Sequence, residues 1–255
     1  DSVTNIVEGA FYECCYLKSI VIPDSVEIIE DYTFYGCSRL ESMNIPNGVV
    51  SIGNDAFYNC VELSNIAIPD SITNLSNSAF SGCINLTNIE VSENNDFYSS
   101  IDGILFNKDA SSLLRYPAGK EGEYVIPESV KSIEYGAFSN CTELTNIVIT
   151  DAVTNIESDV FEGCSSLTTI DVSENNAYYS SKDGVLFNKD GTLLIKYPAG
   201  REGEYVIPDC VTSIAEYAFG GFVSDLEGAV EYSVKIKKVT IPDNVTYIGS
   251  KAFSG

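Results

Sequence analysis

Eight cysteines and 37 carboxylates are the side chains in this 255-residue chain with the most chemistry open to them. Thiols can pair, hold a metal or attack a carbonyl. Two carboxylates across a cleft can hydrolyse a glycosidic bond. Histidine is absent. Its absence removes Ser-His-Asp and Cys-His nucleophilic catalysis and the HExxH metalloprotease pattern. No phosphate-binding P-loop and no GxGxxG after a strand is present. Nothing marks out one carboxylate pair among so many. The chain is therefore expected not to be an enzyme and to need no cofactor.

The cysteine spacing points to structure instead. Cys14, Cys37, Cys60, Cys83, Cys141 and Cys164 each stand three residues after a Phe or its equivalent. Side chains at one repeat position stack in parallel, a poor geometry for bridging. They are expected to form a ladder of small, buried, free thiols. Cys15 and Cys210 lie off this ladder, in the first and seventh repeats, too far apart to bridge each other. No C-x-x-C and no His are available to build a zinc site.

The elements that carry the ladder repeat every 23 residues. Phe11, Phe34, Phe57 and Phe80 keep that spacing, as do Phe138 and Phe161. Ala79-Phe80 is one of a series that includes Ala10-Phe11, Ala56-Phe57, Ala137-Phe138, Ala218-Phe219 and Ala252-Phe253. A fixed period in the twenties predicts a leucine-rich-repeat solenoid, in which coils bury their apolar faces only by stacking. Within Leu63 to Cys83, the step from Ile66 to Ile68 is that of a strand. Pro69 ends it, lacking the N–H a ladder needs. Ile72 and Leu75 return to the core, and Ala79-Phe80 follow at the spacing of a short helical turn. The expected fold is an α/β repeat: a parallel sheet on one face, short helical turns on the other. About eight coils at ~4.8 Å each give a rod roughly 35–40 Å long.

The segments Ile22-Pro23-Asp24-Ser25-Val26 to Cys37, and Ile126-Pro127-Glu128-Ser129-Val130 to Cys141, resemble the signature of the BspA-like leucine-rich-repeat family. The resemblance covers nearly the whole chain. It implies a bacterial or protozoan surface protein, extracellular in location. It also implies a non-catalytic recognition or adhesion module, with a host or extracellular protein as partner.

The period is interrupted twice. Phe80 and Phe138 are 58 residues apart, which is 35 more than one coil. Val91–Val130 and Val172–Val211 match at 28 of 40 positions, so the interruption is duplicated. Each copy predicts two short strands, Ile104 to Asn107 and Leu113 to Tyr116 in the first, joined by a polar turn. The resulting hairpins are expected to project from one side of the rod, about two coils apart. Asp102-Gly103 and Asn107-Lys108-Asp109, with copies at Asp183 and Asn188-Lys189-Asp190, read as turn residues. They lack the alternate oxygen ligands and distal Glu of a calcium loop.

A single solenoid domain over 1–255 is expected. Regular repeats span 1–90, 131–171, 208–219 and 237–255; inserts span about 91–126 and 172–207. An irregular insertion spans about 220–236, with Asp225, Glu227 and Glu231 followed by Lys235, Lys237 and Lys238. This cluster reads as a local charge offset more readily than as a docking patch. Both ends fall mid-repeat, as in a piece of a longer chain.

Net charge is −23, which disfavours nucleic acid and anionic membrane surfaces and favours basic partners. No apolar run reaches the ~18–20 residues of a membrane span. The candidate binding residues are Asn65, Asn88, Glu90, Asn146 and Asp171 on the outward face of the strands. On the inserts they are Tyr98, Asp102, Tyr116 and the copies Tyr179, Asp183 and Tyr197. The strand face is otherwise plain and short-chained. A carbohydrate-binding module is one alternative, since tyrosines stack on sugars, although packing of the inserts explains them more simply. A passive spacer for another domain is a second.

Overall fold

The computed structural model describes residues 3–220 and 235–254. The chain winds as a solenoid with two sheet walls. The front wall holds the parallel strands Asn65–Ile68 and Asn88–Val91, and later Gly122–Val125, Leu144–Ile149 and Thr169–Val172. Register is kept by the repeat: Asn65, Ile66, Ala67 and Ile68 face Asn88, Ile89, Glu90 and Val91. Ile66, Ile68 and Ile89 are buried while Ala67 and Glu90 face solvent, the period-2 signature of a half-buried sheet. The second wall is built of two-residue strands, Ile28–Ile29, Ser51–Ile52 and Asn74–Leu75. These carry Ile29, Ile52 and Leu75 into the core.

The expected helical turns do not form; no helix occurs among the described residues. In the Ala-Phe segments, Ala10, Tyr12 and Cys14 donate three residues back, to Val7, Gly9 and Phe11. The N–H groups between them turn outward. Gly9, Phe11 and Glu13 donate to Asp31, Thr33 and Tyr35 of the next coil, at 3.0, 2.9 and 2.6 Å. Gly9 and Glu13 also take left-handed φ values of 64° and 53°, which a right-handed helix excludes. The apolar spacing suits a helix, but half of the donors are committed to the neighbouring coil.

Beneath these turns run two columns. Phe11, Phe34, Phe57 and Phe80 stack with centroids 5.2, 5.3 and 5.5 Å apart. Beside them the Cys37, Cys60 and Cys83 thiols donate to the carbonyls of Phe11, Phe34 and Phe57 at 3.1–3.2 Å. Cys164 does the same to Phe138, at 3.1 Å. A small apolar residue with one weak donor meets both demands of the position. Burial pushes the Cys37 thiol up to about 11 and Cys83 up to about 12, so they stay protonated and able to donate. All eight cysteines are free. Cys14 departs from the ladder: it is exposed, because it sits in the outermost described coil with no Phe carbonyl beneath it. Ellman's reagent is accordingly expected to react fast with three thiols, Cys14, Cys15 and Cys210, and with the other five only on unfolding. Fast reaction of more than three in the native protein would contradict the buried column.

The inserts do not project. Each is a three-stranded antiparallel meander, Tyr98–Ile101, Ile104–Asn107 and Ser112–Arg115 in the first, whose last strand pairs in parallel with Ser132–Ile133 of the next coil. The second copy repeats this with Tyr179–Lys182, Val185–Asn188, Leu193–Lys196 and Ser213–Ile214. Both faces of each meander are covered. Leu105 and Leu114 join the core of the preceding coils, whereas Ile104, Phe106 and Leu113 join that of the following ones. Leu186 is divided in the same way from Val185, Phe187 and Leu194. The inserts are cross-walls inside the rod, and strands buried on two faces read as continuous apolar runs.

Asn95 latches the first cross-wall. Its amide nitrogen donates to the carbonyls of Pro69 and Ile72 at 2.8 and 2.9 Å, and its oxygen accepts from the N–H groups of Phe97 and Tyr98, both at 2.8 Å. Asn176 repeats all four contacts on Thr150, Val153, Tyr178 and Tyr179. Arg115 ends the same wall. The wall lacks an Ala-Phe turn, and the fully buried guanidinium fills the space. Nη1 donates to the Gly136 carbonyl at 2.9 Å and Ser139 Oγ at 2.7 Å, and Nη2 to the Ser139 and Phe80 carbonyls at 3.0 and 3.3 Å. In the second wall Lys196 takes this place, donating to the Tyr217 and Gly220 carbonyls at 2.9 and 2.8 Å.

Candidate functional site

The front wall brings five of the eleven sequence-predicted residues onto one surface. Every coil contributes two outward positions. One row aligns Asn65 with Asn88, and Glu123 with Asn146 and Thr169. The other aligns Ala67 with Glu90, and Val125 with Val148 and Asp171. Asn65, Glu90 and Asp171 are exposed, and Asn88 and Asn146 half-buried. The Asn146 amide donates to Glu123 Oε2 at 3.0 Å, across one coil.

The first cross-wall interrupts this surface with a notch. Asp102 and Gly103 both have left-handed φ, 50° and 75°, which makes the type I′ turn that a two-residue hairpin needs. The turn docks on the front strand: Ile89 donates to the Gly103 carbonyl at 2.9 Å, and Val91 N–H to Ser100 Oγ at 3.0 Å. A Cβ on Gly103 would lie 3.2 Å from the Asn88 Cα, so glycine is what permits the approach. The notch is lined by Asp102, Tyr116, Lys120, Glu121, Glu123 and Tyr124, among others. Of these, sequence reasoning selects Asp102 and Tyr116 as binding residues and counts Tyr124 among the tyrosines that suggest a sugar platform. Lys120 and Glu121 sit in the short link after the wall, and Glu123 on the front strand that follows it; their only signal is adjacency to the Tyr116-Pro117 stop.

The tyrosines serve the walls. Tyr116 and Tyr197 are 2% and 1% exposed, so neither presents a ring face to solvent, contrary to their selection as binding residues. Tyr116 lies 4.9 Å from Tyr124 and 5.1 Å from Phe138, and burial pushes its hydroxyl up to about 12. Tyr98 and Tyr179 are half-buried, and their hydroxyls accept from the Leu75 and Ile156 N–H groups at 2.9 and 3.0 Å. The Asn107 segment is also spent internally: Asn107 Oδ1 accepts from Ser112 N–H at 2.9 Å and Asp109 Oδ1 from Ser111 Oγ at 2.7 Å.

The second copy is filled. Arg201 donates to the carbonyl of the exposed Asp183, and its guanidinium lies 5.3 Å from the centroid of Tyr197. Lys238 pairs with Glu204 at 3.1 Å and Lys235 with Glu202 at 3.9 Å. The basic cluster thus meets carboxylates of the neighbouring coil; Asp225, Glu227 and Glu231 fall outside the described residues. Among the described residues no three His, Cys, Asp or Glu side chains gather as a metal site, and no helix is long and apolar enough to cross a membrane.

A stack of short strands with plain turns, presenting rows of side chains, defines a leucine-rich-repeat protein. The BspA type leucine rich repeat region matches six copies over residues 4–117, 120–186 and 203–255, and the chain belongs to that family. Two solved structures are similar to it. One is a leucine rich cell surface protein from Faecalibacterium prausnitzii A2-165, 26% identical with a TM-score of 0.70 over 98% of this chain and 64% of that one. The other is the pneumococcal vaccine antigen PcpA, 18% identical with a TM-score of 0.53 over 91% of this chain and 62% of that one. The chain therefore spans less than two thirds of the length of either. A search of curated proteins gave no match.

Proposed function

We propose that this chain is a non-catalytic surface recognition module that binds a basic extracellular or host protein through its front wall and the notch. The observation that carries this reading is the set of exposed carboxylates Glu90, Glu123 and Asp171, borne outward on three front strands of a chain of net charge −23. Acidic side chains held on one sheet face attract and orient a complementary basic surface. The rigid walls hold them with little ordering left to do on binding. An extracellular location fits the printed description of the Faecalibacterium prausnitzii protein as a cell surface protein.

Binding to a panel of basic extracellular-matrix proteins at low and physiological salt tests the reading. Saturable binding is expected, weakened about tenfold or more when Glu90, Glu123 and Asp171 are all changed to Lys. Absence of saturable binding at physiological salt across the panel would favour a passive spacer instead.

A further inference from the structure

Where the first cross-wall lacks its Ala-Phe turn, the turn side of the rod opens into a cleft of about 460 Å³, within the range of small-ligand sites. Two rings stand exposed in it, Tyr32 at 37% on one side and Tyr135 at 50% on the other. Tyr58 adds a third ring, stacked 4.8 Å from Tyr35, which is itself 4.7 Å from Tyr12. The Asn77 amide lies on one wall and the Asn140 amide on the other; neither side chain makes a hydrogen bond among the described residues. Asp55 and Glu162 complete the polar lining. No Lys or Arg lines the cleft, since Arg115 spends both terminal nitrogens on the floor.

We infer that this cleft is a binding site for a neutral oligosaccharide. An amide offers a donor and an acceptor side by side, and a carboxylate two acceptors, a match for adjacent hydroxyls on a sugar ring. Tyrosine faces supply apolar area with a polar tip and bind the C–H face of the same ring. The absence of cations in the lining disfavours phosphate or sulfate, and the scarcity of aliphatic groups disfavours lipid. The second cross-wall opens a cleft at the equivalent place, but there Ser158 and Glu216 stand in place of Asn77 and Tyr135, and Ile156, Val160 and Ile195 line it. The sugar-binding chemistry therefore belongs to the first cleft and is not a by-product of the duplication. It lies among the turns, away from the front strands, and does not depend on the protein-binding reading.

Calorimetric titration of the chain with soluble neutral gluco-, galacto- and manno-oligosaccharides tests the inference, with a polyamine as the cationic control. At least one oligosaccharide series is expected to bind saturably. Tyr135→Ala and Asn77→Ala should each weaken it about tenfold or more while leaving the melting temperature within a degree or two, since the Tyr135 ring is exposed and the half-buried Asn77 amide makes no hydrogen bond among the described residues. Tyr178→Ala, at an exposed ring on the second insert, should leave it unchanged. No binding by any series, binding untouched by the cleft substitutions, or binding of the polyamine alone would each overturn the assignment.

Discussion

Arg115→Ala is expected to destabilise the protein by about 4 kcal/mol, seen as a fall in melting temperature on the order of 10 °C. Two losses add. The largest fully buried side chain is removed from a close-packed site, leaving a cavity. The Ser139 carbonyl loses its guanidinium donor, and the Gly136 and Phe80 carbonyls keep one backbone bond each, from Ser139 N–H at 2.8 Å and Cys83 N–H at 3.3 Å. Arg115→Met separates the two. It fills most of the volume and removes a charge whose burial lowers its pKa and costs stability, but it supplies none of the guanidinium's hydrogen bonds. About half the loss is expected for Met, by thermal melting under identical conditions. A Met variant as stable as the parent would mean that the guanidinium acts only as filling.

Asn95→Ala should cost about as much, roughly 4 kcal/mol, although the side chain is half the size. One buried amide satisfies four backbone groups, the Pro69 and Ile72 carbonyls and the Phe97 and Tyr98 N–H groups. Alanine removes the side-chain partner of all four at the point where the front strand hands over to the cross-wall, leaving the Pro69 carbonyl only the Ile72 N–H at 3.3 Å. Asn95→Asp is the sharper test, because it is isosteric and turns a donor pair into an acceptor facing two carbonyls. It should destabilise at least as strongly as Ala. Retention of the parent's melting temperature in either variant would show that the latch is dispensable.

The sequence made the stacking legible because the Phe and Cys columns recur at fixed spacing, and each occupies a place only a small or flat side chain fills. The front strands were legible for a similar reason, since Ile66 and Ile68 alternate with the exposed Asn65 and Ala67. The Ala-Phe turns misled because apolar spacing reports which side chains are buried, not which carbonyl each N–H chooses. The inserts misled because a hairpin pattern is silent about what covers its faces, although the unbroken run Ile104-Leu105-Phe106 was a signal of two covered faces. Tyr116 looked like a platform for the same reason. The cleft beneath Tyr135 had no signal at all: it is made by a turn that is missing from residues far from those that line it.

The cross-walls set how far a disturbance travels. A solenoid coil touches only its neighbours, so order is lost from an end one coil at a time, each loss exposing the next. Here the apolar filling is divided into three compartments, and each partition keeps one covered face when the coils on its other side are gone. The walls behave as bulkheads. Fraying that reaches Phe106 or Phe187 meets a sheet whose remaining face is still packed, and the rod is left with a closed end in place of a bare coil.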